Sequence, residues 1–300
     1  MTIFPRTVGI SAYDYPAAEL LMLARAADDF GFEALWCGEH YVIPGRHESV
    51  HPTNATKRED AEENTLATDV RLYDPWFLLG AVAGATRRLK IGTAICIAPL
   101  NNPLLLARAS ITAHEVSNGR FRFGVGAGWL REEFDALAIP FEQRGRRLDE
   151  TIEILRKAWA GGFFDHQGAH FRFDSLQVTA QPADIPLVCG GNTGPALRRI
   201  GRVADAWMNS AFITLEEALR MRETIEIERR AASREARPLI YFIRPVKPDA
   251  EVVSTFVEEG FENIILWGPD VWSPEPGNIA EKIERLRYVA LTYGIRPCAE

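Results

Sequence analysis

Eight short apolar runs alternate with helical patterns along the whole chain, and that alternation constrains the fold more than any other feature. The runs are TVGISAY (7–13), FEALWCGEH (32–40), LKIGTAICIA (89–98), FRFGVGAGW (121–129), IPLVCGG (185–191), ADAWMNSAF (204–212), PLIYFIRP (238–245) and FENIILWGP (261–269). Strands this continuously hydrophobic fit a parallel sheet covered on both faces, and strict alternation with helices marks repeated βαβ units. Eight such units in 300 residues predict an α/β fold, a single (β/α)8 TIM barrel domain over residues 1–300.

Capping chemistry supports the count. Asp74-Pro75 and Asn102-Pro103 each set an N-cap acceptor before a proline at the first helical position, where the missing N–H costs nothing. Thr214 and Glu217 have capping-box spacing, so a helix begins there. Leu148, Ile152, Leu155 and Trp159 recur at helical spacing, as do Ile279, Ile283, Leu286 and Ala290, giving each helix one apolar face to lay on the barrel. Two insertions interrupt the repeat. Residues 44–71, after strand 2, are polar and charged and read as a long loop; residues 161–181, before strand 5, carry two aromatic strand-like pieces around Gln167-Gly168 and read as a hairpin.

A net charge of -7 and a lack of clustered basic residues exclude a phosphate-backbone partner; the tightest group, Arg87, Arg88 and Lys90, follows a helix and suits its dipole. The cysteines (37, 96, 189 and 298) form no CxxC pair and read as reduced thiols. No apolar run reaches bilayer length and MTIFPRTVGIS has no leader pattern, so a cytoplasmic protein with no membrane partner is expected. The histidines lack metal-site spacing: His47 and His51 fall in a polar loop without nearby cysteines, and no metal is expected. GxSxG and Walker patterns are absent as well.

In such a barrel the active site is built at the C-terminal ends of the strands. The second strand ends in Glu39-His40, where an imidazole can donate to a carbonyl or pass a proton near neutral pH; a rim histidine satisfied by Glu39 fits the same residues. The fourth strand ends in Gly124-Val125-Gly126-Ala127-Gly128-Trp129, whose glycines suit close approach of a flat ring and whose spacing is not that of a dinucleotide fingerprint. Gly190, Gly191, Asn192, Thr193 and Gly194 close the fifth strand before Pro195 and a helix, an arrangement suited either to phosphate or to an ordinary capped turn. Tyr13, His51, Asn209, Arg244 and Trp267 are further candidates for the mouth.

The stretch from Gly124 to Glu150, GVGAGWLREEFDALAIPFEQRGRRLDE, resembles the luciferase-like flavin and deazaflavin oxidoreductases, and GWLREEFDALAIPFEQRGRRLDE is most similar to their F420-dependent subgroup. The resemblance, which runs over nearly the whole chain, implies a catalytic Glu39-His40 pair beside the cofactor ring. It also implies a cis peptide in Thr93-Ala94-Ile95 under that ring, with Ala94 and Ile95 as contacts, and Gly126, Ala127, Gly128 and Trp129 as further ring or pocket contacts. The Gly190–Gly194 turn falls at the family's cofactor phosphate position, and Ala127 stands where FMN-using relatives can carry an arginine, which disfavours FMN. The function so implied is hydride transfer between F420 and a small organic substrate by a homodimer. The alternatives are an FMN-dependent monooxygenase served by a flavin reductase, and a flavin-binding barrel without turnover. An unrelated barrel acting on sugar phosphates would need catalytic lysines or paired carboxylates at several strand ends, which are mainly Gly, Ala, His, Trp and Ser here.

Overall fold

The computed structural model describes residues 3–50, 70–71, 73–210, 212–272 and 278–297. Residues 51–69, which are most of the loop read after strand 2 and include His51, lie outside the described residues, as does Cys298.

The eight expected runs form eight parallel strands, each shorter than its apolar run: β1 (Thr7–Ala12), β2 (Ala34–Cys37), β3 (Lys90–Thr93), β5 (Phe121–Gly126), β8 (Leu187–Gly190), β9 (Ala206–Met208), β10 (Ile240–Ile243) and β11 (Asn263–Trp267). Their order is β3-β2-β1-β11-β10-β9-β8-β5, and pairing of Ile91 with Phe121 and Gly92 with Arg122 closes the ring. Helices α1 (Ala17–Phe30), α2 (Pro75–Ala85), α3 (Pro103–Val116), α5 (Arg144–Trp159), α6 (Gly194–Val203), α7 (Leu215–Ala231), α8 (Ala250–Glu258) and α10 (Ile279–Thr292) follow the strands in turn. Short α4 (Arg131–Ala136) and α9 (Gly268–Trp272) belong to loops leaving β5 and β11. The barrel expected from the alternation is therefore the one observed.

Asp74, Asn102 and Thr214 cap α2, α3 and α7 through their side chains, and Thr214 with Glu217 completes the capping box. The apolar faces of α5 and α10 need one correction: Leu148, Ile152, Leu155 and Trp159 are all buried, but α10 also buries Lys282, whose Nζ meets Glu19 Oε1 of α1 at 2.5 Å. The second insertion is an antiparallel hairpin, β6 (Phe164–Gln167) and β7 (Arg172–Leu176). Its turn is longer than expected. Gln167 pairs with Arg172, so the chain reverses over 168–171. Glu150 holds that reversal, accepting the backbone N–H groups of His170 and Phe171 and bonding His166 Nε2 at 3.0 Å.

Successive strand residues point to opposite faces of a sheet, so the apolar runs divide into two cores. Leu35, Cys189, Trp207, Ile243, Ile264 and Leu266 face the helices in the main core. Ala34, Trp36, Val188, Ala206, Met208, Phe242 and Ile265 fill the barrel interior. A barrel of eight strands has room for little more than its own side chains, so one large ring requires small neighbours. Trp36 obtains them from the flanking strands: a Cβ on Gly92 would lie 2.4 Å from its ring, and one on Gly9 would lie 3.0 Å from its Nε1. Arg122, paired with Glu33 at 2.5 Å, lies over the Phe242 ring.

Candidate active site at the barrel mouth

After β3 the chain changes register against β5. Ile91 pairs with Phe121, but Cys96 of the two-residue strand β4 (Cys96–Ile97) pairs with Val125, so the β3–β4 side carries one extra residue, a bulge. Within it the Ala94–Ile95 peptide is cis. The Thr93 hydroxyl repairs the interrupted ladder, donating to Gly124 O at 2.7 Å and accepting the Gly124 N–H at 3.0 Å. Such proximity excludes a side chain on Gly124, whose Cβ would stand 1.9 Å from Thr93 O.

The glycines of the fourth and fifth strands leave room that a protein side chain occupies. A Cβ on Gly126 would meet Ile95 Cδ1 at 1.7 Å, and one on Gly190 would meet the same atom at 2.9 Å. Gly126 and Gly190 thus admit Ile95, whose backbone forms the bulge. Gly128, at φ +79°, lies against Ile97 and Phe134, and Arg144 Nε donates to its carbonyl at 3.2 Å. Ala127 is half-buried against the main core.

Glu39 and His40 are neighbours in sequence whose side chains serve different partners. The Glu39 carboxylate is buried and accepts the N–H of Ile97 at 2.7 Å, tying the end of β2 to β4. Burial pushes it up to about 7, against the opposing pull of the Ile97 N–H and the Cys96 side chain. His40 instead bonds through Nδ1 to Glu133 Oε2 at 3.2 Å, and the other Glu133 oxygen accepts the backbone N–H of Tyr41. Glu133 is fully buried at the start of α4, so His40 is held by a carboxylate 93 residues away and not by its neighbour. An ionised carboxylate only accepts, which makes Nδ1 the donor and leaves Nε2 to the mouth. Trp129 stands edge-on to His40 at 6.0 Å between ring centroids and edge-on to His47 at 6.3 Å. A shallow cleft open to solvent is lined by His40, Tyr13, Tyr73 and Arg71 among others.

Glu133 was not among the residues expected to act. It is one of two adjacent acids at a helix start, and spacing alone does not say which turns inward. Glu132 takes the outer role, accepting the N–H of Glu48 at 2.6 Å and the Ser49 hydroxyl at 2.7 Å.

At the C-terminal end of β8, Gly191 has φ +125° and the chain enters α6 with Thr193 as N-cap. The Thr193 side chain makes no capping bond, and Pro195 withholds one donor. Asn192 Oδ1 accepts the N–H of Ser210 at 3.1 Å, linking the ends of β8 and β9, so what Asn192 has to offer a ligand is donors, its backbone N–H and its side-chain amide. Arg198 folds back to this helix start, with Nη1 3.3 Å from where a Cβ would stand on Gly194, whereas Arg199 is engaged by Asp149 and Gly145. Unpaired N–H groups, the helix dipole and a guanidinium at one point suit a phosphate.

A model of the luciferase-like monooxygenase family matches residues 1–289. The chain belongs to that family. As a member it is an oxidoreductase. An uncharacterised protein of Mycobacterium tuberculosis strain H37Rv is 27% identical over 266 residues, 87% of this chain and 90% of that one. The F420-dependent glucose-6-phosphate dehydrogenase of Nakamurella multipartita is 30% identical over 206 residues, 67% of this chain and 54% of the enzyme. Among solved structures, the coenzyme F420-dependent tetrahydromethanopterin reductase of Methanopyrus kandleri superposes with a TM-score of 0.72 at 15% identity, covering 95% of this chain and 97% of that one. A monooxygenase from Streptomyces bottropensis gives 0.71 at 19% identity, covering 95% and 98%. At these identities the structural likeness bears on the fold alone. Among the described residues no cluster fit to hold a metal is present, and no helix is long and apolar enough to cross a membrane.

Proposed function

We propose that this luciferase-like oxidoreductase uses F420 to transfer hydride to or from a small organic substrate, with His40 carrying the accompanying proton. The observation that carries the reading is the His40–Glu133 pair: a histidine lining the mouth cleft, its Nδ1 held by a fully buried carboxylate. The residues around it fit a flat, phosphorylated cofactor. The Ala94–Ile95 bulge offers a backbone surface with small Ala94 on it, and the start of α6 offers the N–H groups of Asn192, Thr193 and Gly194, the Thr193 hydroxyl and Arg198. Gly126, Gly190 and Gly191 let the chain take that shape, and Trp129 walls the mouth beside His40.

When bound, F420 supplies the ring carbon that gives or takes hydride. The chain supplies the rest. Glu133 fixes the imidazole plane and tautomer, so that Nε2 accepts a proton from a substrate hydroxyl or returns one to a carbonyl, and its charge stabilises the imidazolium that forms. Glu39 acts one step back by holding Ile97, and with it the bulge. The F420-dependent relative at 30% identity supports this cofactor, and Ala127, without an arginine, disfavours FMN.

Titration of the purified protein with oxidised F420 and, separately, FMN, followed by fluorescence, tests the reading. Tight F420 binding with weak FMN binding is expected. Preference for FMN would replace it with an oxygen-using monooxygenase served by a reductase. Binding of neither would remove the cofactor site. A homodimer in the cytoplasm belongs to the same proposal, and light scattering on the eluted protein checks the first part.

A further inference from the structure

The other half of the mouth holds a charge that hydride and proton transfer leave unused. Arg244 follows the last residue of β10, and its side chain turns inward: Nη2 donates to Ser11 Oγ of β1 at 2.8 Å and lies 3.9 Å from Met208 Sδ. Strand β11 separates β10 from β1, so the guanidinium spans the floor of the mouth. Its backbone is pinned by Asn209, which accepts the Arg244 N–H at 2.8 Å and donates to its carbonyl at 3.3 Å. Among the described residues no carboxylate pairs with Arg244, and its buried Nε has no acceptor. Arg122 and Arg229, whose side chains are also largely covered, each have a carboxylate partner, Glu33 and Glu226.

Burial alone pulls the Arg244 guanidinium down to about 10, so at neutral pH it remains a cation, with no counter-charge among the described residues. A buried, uncompensated charge destabilises a fold, and a protein that keeps one at a mouth obtains the missing partner from a ligand. Beside it, at the ends of β1 and β11, Tyr13 and Trp267 stack with centroids 6.2 Å apart and planes 28° from parallel. The planar guanidinium fork matches a carboxylate in two parallel bonds.

We propose that Arg244 binds the carboxylate of the substrate, so that the enzyme acts on a small organic acid whose body lies against Tyr13 and Trp267. This rests on the cofactor reading only in giving the β3, β5 and β8 side of the mouth to F420. The opposite arc is then the substrate's.

Calorimetric titration of the full chain with benzoate and with its neutral isostere benzamide, in the presence and absence of F420, tests the assignment. Wild type is expected to prefer benzoate at least tenfold, Arg244→Met to lose the preference, and Arg244→Lys to keep part of it, since it retains the charge and loses the fork. F420 binding is expected to be the same in all three. A purely structural arginine would lower the melting temperature when replaced; here the ligand-free Arg244→Met protein is expected to melt no lower than wild type, because methionine removes an unpaired buried charge.

An undiminished benzoate preference in Arg244→Met overturns the proposal, and so does loss of F420 binding in that variant or a lower melting temperature. Failure of wild type to bind benzoate, or binding of inorganic phosphate in its place, overturns it as well. Arg244-dependent benzoate binding in a protein that does not bind F420 would retire the cofactor reading and leave this one standing.

Discussion

Replacing Glu133 with glutamine changes one atom of the site and should reverse the tautomer of His40. In the native site one Glu133 oxygen accepts the Tyr41 N–H and the other faces His40 Nδ1 at 3.2 Å. The Tyr41 N–H can only donate, so the glutamine must turn its carbonyl oxygen there; the opposite rotamer would set two donors against each other at a cost of about 1–3 kcal/mol. The amide NH2 then faces Nδ1, which must become an acceptor, and the neutral ring carries its proton on Nε2. His40 loses the lone pair that takes a substrate proton, and an imidazolium loses its carboxylate. General acid–base catalysis is worth about 10²–10⁴-fold, so turnover should fall by about that factor, some 3–5 kcal/mol in the barrier. Cofactor binding should hold. The tautomer is read directly from ring ¹⁵N shifts in histidine-labelled protein, with the His40 signals assigned by their loss in His40→Ala. An Nδ1–H ring persisting in Glu133→Gln, or turnover within about threefold of wild type once a substrate is in hand, would refute the reasoning.

Glu39 should make stability depend on pH. Its folded-state value is raised from 4.5 to about 7, so the contribution is fully present below 4.5 and is lost as pH rises through about 7. The loss amounts to roughly 3 kcal/mol, and urea midpoints at pH 5 and pH 8 should show it in wild type and largely lack it in Glu39→Gln. Gly124→Ala sets a methyl against the Thr93 carbonyl, 1.9 Å from its oxygen, and should cost about 3 kcal/mol or more in urea unfolding. Arg198→Glu reverses an exposed charge at the start of α6; F420 affinity should fall on the order of tenfold at low salt and less at high salt. A salt-independent result would remove Arg198 from the phosphate site.

The strands and helices were legible because their signals are local. Apolar runs of strand length, an N-cap before proline and a capping box each act within a few residues, and all reappear in the fold. Lys282 was missed on α10 because a charged residue on an apolar face carries no mark of the Glu19 that neutralises it from α1. His40 and the turn at 190–194 were legible as candidates because a barrel places the ends of its strands at one rim. What each does there was not. Glu39 adjoins His40 in sequence yet serves Ile97, and the partner of His40 comes from a helix two strands later in the chain.

From its own order, the chain determines how many strands it makes, where its helices start and which ends must converge, since these follow from periodicity and from backbone groups that find partners nearby. Tertiary structure alone decides which residue of each strand faces the interior, that Gly126 and Gly190 make room for Ile95, that Glu133 rather than Glu39 orients His40, and that Arg244 enters the mouth with no carboxylate beside it among the described residues. Packing and charge pairing at a barrel mouth join residues as far as 233 positions apart, as Ser11 and Arg244 are, and closing the ring is what brings them within contact distance.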